Sequence, residues 1–246
     1  MSRTGCATPV TSTGQPVATA GQTWWIIRLS GWLKALTAVT TPIGSRLVNA
    51  RRCCEEREIP IGISSLNRST TSSYNTAVGA DANAWNTTGA SNTSVGYSAL
   101  NDNTTGTRNI AIGALAYDNA DTENDNIAIG YSALGGAING GEFNLAIGNY
   151  SLDANTTGDY NVAVGDNALS ANTTGNFNTA TGSWALVANT SGVNNTAIGL
   201  EALTANTTAN YNTGLGSETL KANTTGTGNT ATGNEALKAN TTANYN

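Results

Sequence analysis

Asp118, Asp121, Glu123 and Asp125 form the densest acidic patch in the chain. Two carboxylates flanking a sugar bond are the machinery of a glycosidase, and clustered hard oxygens also suit a weak Ca²⁺ site. The patch falls where a tandem array loses its Asn-Thr-Thr-Gly phrase, so a solvated turn is the simpler reading. No other constellation supports catalysis. The chain has no His, Ser and Thr recur at fixed repeat positions, and adjacent Cys53 and Cys54 lack the CxxC spacing of a zinc or redox site. Asn-Thr-Thr or Asn-Thr-Ser matches the glycan-acceptor pattern at Asn86, Asn103, Asn155, Asn172, Asn189, Asn206, Asn223 and Asn240, but a repeat that uses Asn structurally generates that match by itself. The reading is therefore of a protein that is not an enzyme and takes no cofactor or resident metal.

Charge is divided unevenly. Residues 1–70 carry eight Lys/Arg against three Glu, a balance of +5, whereas residues 71–246 carry three against thirteen, a balance of −10. Nucleic-acid binding needs clustered Lys/Arg on phosphates, which the acidic region lacks. All three Cys (Cys6, Cys53, Cys54) and all four Pro (Pro9, Pro16, Pro42, Pro60) belong to the basic segment, and unpaired thiols are the plain reading there. The start shows no secretory signal pattern. The one strongly apolar run, Trp24 to Val39, is broken by Arg28, Gly31 and Lys34 and is too short to span a bilayer. Trp25, Leu29, Trp32 and Leu36 share a helical face, which predicts an amphipathic helix over 24–39 in an otherwise partly disordered segment 1–70.

The elements that would carry any chemistry are repeats. Asn recurs at Asn75, Asn92, Asn109, Asn126, Asn144, Asn161, Asn178, Asn195, Asn212 and Asn229, with a 17-residue period broken only by the 18-residue step from Asn126 to Asn144. The consensus is N-T-A-V-G-x-x-A-L-x-A-N-T-T-G-x-x, and so regular a short period marks a solenoid. Position 5 is always Gly: Gly79, Gly96, Gly113, Gly130, Gly148, Gly165, Gly182, Gly199, Gly216 and Gly233. Such a column suits a positive φ or a close approach of backbones.

Two apolar columns are the predicted core. Position 4 supplies Val78, Val95, Ile112, Ile129, Ile147, Val164, Ile198 and Leu215; position 9 supplies Leu100, Leu134, Leu152, Leu169, Leu186, Leu203, Leu220 and Leu237. Frequent Gly and Asn with much Thr and Val oppose helix, so the unit reads as two short strands, one over N-T-A-V and one over A-L-x-A-N-T-T. Parallel stacking would align the position-1 and position-12 Asn columns as amide ladders. One Leu and one Val or Ile per coil cannot offset the conformational entropy lost in ordering that coil, so stacking is obligatory. Aromatic rings at position 17 (Phe143, Tyr160, Phe177, Tyr211, Tyr245) would cover the turn or add burial between chains. The predicted fold is all-β: a parallel β-solenoid of ten 17-residue coils over 75–246.

The phrase NTAVGxxAL, with variants NIAIGYSAL, NLAIGNYSL and NTAIGLEAL, resembles the YadA-like head repeats of trimeric autotransporter adhesins. Similar Asn-Thr-Gly-rich repeats occur in phage and virus tail-fibre proteins. The resemblance covers 75–246 and implies a left-handed β-roll, a homotrimer, and an extracellular, cell-surface or virion location. It also implies a multivalent surface for a host-cell or matrix protein or glycan. The unit here is longer than the family's, which places an extra edge or loop at ANTTG.

A rival from another class is ice binding through the Thr rank Thr87, Thr104, Thr156, Thr173, Thr207, Thr224 and Thr241. Adjacent Thr in a strand face opposite sides, so NTT offers one outward Thr per coil, which weakens that reading. Glu201, Glu218 and Glu235, near Lys221 and Lys238, read as exposed surface.

Overall fold

The computed structural model describes residues 58–246, together with residues 28–29 and 32–33 before them. The chain divides into two units, Met1–Cys54 and Glu55–Asn246. In the first, β1 (Arg28–Leu29) and β2 (Trp32–Leu33) pair antiparallel, with Leu29 opposite Trp32. These residues are strand where the sequence predicts part of a helix over 24–39. A Gly-containing two-residue spacer between short aromatic and aliphatic runs favours a hairpin. The remainder of that predicted helix, the disorder expected in 1–57 and the three cysteines lie outside the described residues.

The second unit is a single parallel sheet of eleven three-residue strands stacked in chain order. They are β3 (Ile59–Ile61), β4 (Thr76–Val78), β5 (Thr93–Val95), β6 (Ile110–Ile112), β7 (Ile127–Ile129), β8 (Leu145–Ile147), β9 (Val162–Val164), β10 (Thr179–Thr181), β11 (Thr196–Ile198), β12 (Thr213–Leu215) and β13 (Thr230–Thr232). The register follows the repeat: Ala163 lies beside Ala180, and Ala180 beside Ala197. The 18-residue step is absorbed without loss of register, since Ile127 still pairs with Leu145. Its additional residue lies between Leu134 and Asn139, because Leu134 N–H bonds to Ser151 and Asn139 N–H to Thr156, each the standard partner for its column. The chain is thus a parallel β-solenoid.

The stack starts earlier than position 75. Glu58–Tyr74 is a further coil, with Ile59–Ile61 as its strand, Gly62 at the glycine position and buried Leu66 in the leucine column. Residues 58–70 therefore belong to the solenoid and not to the partly disordered segment that the sequence predicts over 1–70. Glu58 takes the place of the first Asn. Its carboxylate accepts from Asn75 Nδ2 (3.0 Å), from Ser69 Oγ (3.0 Å) and from Ser72 Oγ, and so caps the position-1 column.

Each coil contains one strand, not two. The segment expected as a second strand, positions 8–14, is a series of turns. Its leucines sit at φ between 46° and 55°, and position 7 is left-handed as well, as at Ser98 (φ 51°) and Trp184 (φ 62°). Alternating left-handed residues cannot form a β-strand, yet they leave N–H and C=O groups pointing along the stack. Leu100 N–H bonds to Ala116 O (3.0 Å), and Ser98 N–H to Ala80 O (2.9 Å), so bonding between coils continues through the turn. Three-residue strands stacked on turns of this kind satisfy the backbone without a second ladder.

The interior is narrower than the sequence suggests, and this corrects half of the predicted core. Position-9 leucines from Leu100 to Leu220 are fully buried as expected; Leu237, in the final coil, is 39% exposed. The position-4 residues Val78, Val95, Ile129, Ile147, Val164 and Leu215 are only half-buried, and Ile112 and Ile198 are exposed. The inward residue of each strand is position 3, small and fully buried in Ala77, Ala111, Ala128, Ala163 and Ala197. The strand alternates as the sequence pattern predicts but in the opposite phase, which exchanges the faces. The reason is visible at Gly214, where an added Cβ would lie 2.8 Å from Thr219 Oγ1. Positions 3 and 8 therefore meet across the coil, and one Ala from each fills the gap. Where position 8 grows to Thr219, position 3 shrinks to Gly214.

Two columns of fully buried Asn complete the interior. At position 1, each backbone N–H donates to the Oδ1 one coil back (Asn92 to Asn75, 2.8 Å), while Nδ2 reaches a carbonyl of its own coil (Asn75 to Gly89, 2.8 Å). At position 12 the side chains form a true amide ladder, as in Asn189 Nδ2 to Asn172 Oδ1 (2.9 Å) and Asn206 to Asn189 (3.0 Å). The position-5 glycines lock the corner. All have positive φ, and a Cβ on Gly113 would stand 2.2 Å from Gly130 O. The two causes of a Gly column, positive φ and close approach, apply here together.

Candidate functional site

The coil presents two outward faces that differ in chemistry. The strand face carries positions 2 and 4 in two parallel columns, and none of their residues from Ile59 to Thr232 is charged. The middle strands β6 to β9 are wholly aliphatic there: Ile110, Ile112, Ile127, Ile129, Leu145, Ile147, Val162 and Val164. Ile59, Ile61, Ile112 and Ile198 are 53, 56, 38 and 43% exposed. From β10 onward Thr replaces aliphatic residues, with Thr179 and Thr181, Thr196, Thr213, and Thr230 and Thr232. The opposite surface carries positions 6, 7, 10 and 11, where Asp, Arg, Lys, Glu, Trp and Tyr occur and where no position keeps one residue type through the whole stack.

The acidic patch does not converge. Among the described residues no group of three or more His, Cys, Asp or Glu could hold a metal ion. Glu123 is buried and its carboxylate accepts from the backbone N–H groups of Asp121 (3.1 Å), Thr122 (3.0 Å) and Gly140 (2.9 Å). Asp125 accepts two bonds of 2.6 Å from the Arg108 guanidinium, which lowers its pKa. Asp121 accepts from Thr104 Oγ1. Asp118 belongs to position 10, where burial, with Asp102 and Asp153 adding to it, pushes its carboxyl up to about 6. These four carboxylates thus have four different sets of partners.

Sequence reasoning missed what the patch does inside. In the coil beginning at Asn109, Tyr117 replaces Leu in the leucine column and Ala120 replaces the position-12 Asn. The phenol is fully buried, accepts 2.7 Å from Asn126 Nδ2, and is held neutral by burial and by Glu123. The signal was present: two columns of the repeat change in one coil, a large residue entering as an amide leaves.

The remaining candidates fall into place as structure. The phrase Asn residues from Asn86 to Asn223 are fully buried, so the acceptor pattern is a by-product of the ladder. Asn240, in the final coil, still donates to Asn223 Oδ1 (3.1 Å). The hydroxyls of Thr87, Thr104, Thr156, Thr173, Thr207 and Thr224 donate to a backbone carbonyl one coil on. Phe143, Tyr160 and Phe177 stack with centroids 4.9 and 5.2 Å apart, half-exposed along one edge; Tyr211 and Tyr245 are exposed farther along. Lys221 bridges Glu201 and Glu218, and Lys238 bridges Glu218 (2.5 Å) and Glu235 (3.2 Å), a zipper running along the surface. No helix among the described residues is long and apolar enough to cross a membrane. No protein-family model, curated protein or solved structure matches the chain.

Proposed function

We propose that residues 58–246 form a structural and adhesive shaft that self-associates as a homotrimer outside the cell or on a virion and contacts a host-cell surface protein or glycan. The observation that carries this reading is the uncharged strand face. A sheet surface that excludes charge over eleven coils, in a chain whose opposite surface is full of charge, fits burial against further copies of itself. Repetition then makes weak contacts multivalent on the remaining surface. The reading assigns no reaction to the protein. Light scattering of the purified chain tests it: a mass three times 25.0 kDa is expected, and Ile112→Asp with Ile129→Asp should reduce it to a single chain while the circular dichroism is kept. A single-chain mass for the unaltered protein, or a trimer indifferent to both aspartates, would overturn it.

Ice binding keeps a place as a second reading, moved to a different surface. The Thr rank of the NTT phrase uses its hydroxyls within the stack. The outward Thr of β10 to β13, with Thr179 and Thr181 and then Thr230 and Thr232 both outward in one strand, forms another rank on the strand face. Thermal hysteresis that disappears in Thr181→Tyr would favour this reading over the adhesive one.

A further inference from the structure

The opposite surface contains one local feature that the repeat does not require. Position 11 is Ala in every coil from Ala154 to Ala239, but Arg68 and Trp85 occupy it in the first two coils. Stacking does not call for a large side chain at this position. Arg68 and Trp85 border a groove of about 350 Å³ whose other walls include Asp81, Tyr97 and Asn101. The Arg68 guanidinium carbon lies 3.4 Å from the centre of a Trp85 ring, a cation–π contact that fixes both groups. Trp85 remains 42% exposed and Tyr97 58%. Arg68 forms no ion pair among the described residues.

We infer that this groove binds a neutral pyranose, as the terminal unit of a glycan. A pyranose ring offers an apolar C–H face and a rim of hydroxyls that both donate and accept. The exposed rings of Trp85 and Tyr97 match the first. Arg68 donates and cannot accept, whereas the Asp81 carboxylate accepts, and together they match the second. One cation and one carboxylate leave the groove without net charge, which selects against a ligand that brings its own. The site deepens the adhesive reading and draws its biological sense from it, but it is measured separately: glycoside titration reports on the groove and light scattering on self-association, so either can fail alone.

The test is saturation-transfer NMR and calorimetry on the full chain with methyl glycosides of glucose, galactose and N-acetylglucosamine, and with glucuronate as the charged probe. Saturable binding of at least one neutral glycoside in the millimolar range is expected. Trp85→Ala and Asp81→Asn should each weaken it about tenfold, while Trp184→Ala, which removes an exposed indole far along the stack, leaves it unchanged. Circular dichroism of each variant confirms that the stack is retained. The inference is overturned if no neutral glycoside binds, if glucuronate alone binds, or if Trp85→Ala and Trp184→Ala act alike.

Discussion

The coils after residue 143 are nearly copies of one another, whereas those of residues 58–143 depart from the consensus in the very columns that face inward. In the later region the amide ladder runs unbroken from Asn155 to Asn240. In the earlier one Ser69, Ala120 and Ile138 interrupt it, Asn83 and Tyr117 enter the leucine column, and Glu58 and Glu123 bring carboxylates inside. Every buried side-chain atom without a partner among the described residues lies in that earlier region: both polar atoms of Asn83, and the Oδ1 atoms of Asn101 and Asn103. The Asn103 case is direct, because the coil above offers Ala120 where an amide would have donated. Both regions nevertheless keep the glycine corner throughout and, after the opening coil with its Glu58 and Pro60, the position-1 Asn and a small residue at position 3. The stack therefore tolerates rewiring of its amide-ladder and leucine columns, whereas the glycine corner is kept in every coil.

The comparison breaks first if the shared corner is not equally demanding on both sides. Gly113→Ala and Gly165→Ala place a Cβ 2.2 and 2.6 Å from the carbonyl group of the next coil's glycine. Backbone at that distance cannot step aside without separating the coils, so each change should cost about 4 kcal/mol or more. Urea unfolding followed by far-ultraviolet dichroism measures both. Gly233→Ala is the matched control: it shares the positive φ (117°) but meets nothing within 4 Å, and strain alone should cost about 1–3 kcal/mol. A cheap Gly113→Ala beside a costly Gly165→Ala would mean that the irregular coils are not stacked as the regular ones are.

A gain in stability is expected where the earlier region is at fault. Asn83 is fully buried between Leu66 and Leu100 in the leucine column, with neither of its polar atoms bonded. Asn83→Leu restores the consensus and removes an uncompensated desolvation, which should stabilise the protein by about 1–3 kcal/mol. A higher urea midpoint at unchanged slope is the expected result. A loss would show that the amide is satisfied in solution, for example by water, and that the departure is better tolerated than the hydrogen bonding implies.

What the sequence made legible follows the same division. The period, the parallel stacking, the glycine corner, the leucine column and the two Asn columns could all be read from ten copies, because each is a contact of a residue with its own equivalent one coil away. What could not be read is how one column meets a different one. The inward facing of Ala77 and the outward facing of Val78 depend on the distance between positions 3 and 8, and no single column reports that distance. The Gly214 and Thr219 pair did encode it, as two exceptions in one coil whose volumes offset. The left-handed turn at position 9 was hidden by leucine, a residue that disfavours positive φ and adopts it here because burial in the column outweighs the cost. The opening coil was missed for another reason. Its EIPIGISSL lies one full period before NTAVGADAN, but Glu, Ser and Pro occupy the positions by which the repeat is recognised, and Glu58 as a cap has no counterpart elsewhere in the array.

The smallest expected effect concerns charge at position 10, where the earlier region has Asp118 and the later has Asp153 followed by the uncharged run Ser170, Val187 and Thr204, before Lys221 and Lys238. Burial, with Asp102 and Asp153 adding to it, raises the Asp118 carboxyl from its ordinary 3.8 to about 6. The folded state thus holds this proton more tightly than the unfolded chain does. Between about pH 4 and about pH 6 the group favours the folded state less and less as pH rises, and above that range it is an ionised, partly desolvated carboxylate. Asp118→Asn keeps an acceptor for Asn119 Nδ2, which donates 3.0 Å to Oδ1, and removes the charge. It should stabilise the protein at neutral pH by about 1 kcal/mol or less, since a half-exposed group is screened by solvent, and should leave stability near pH 4 unchanged. Urea midpoints of the two proteins at both pH values decide this. A difference that grows toward acid instead of toward neutrality would mean that Asp118 is stabilised as the anion, and that the earlier coils carry their charges at no cost relative to the later ones.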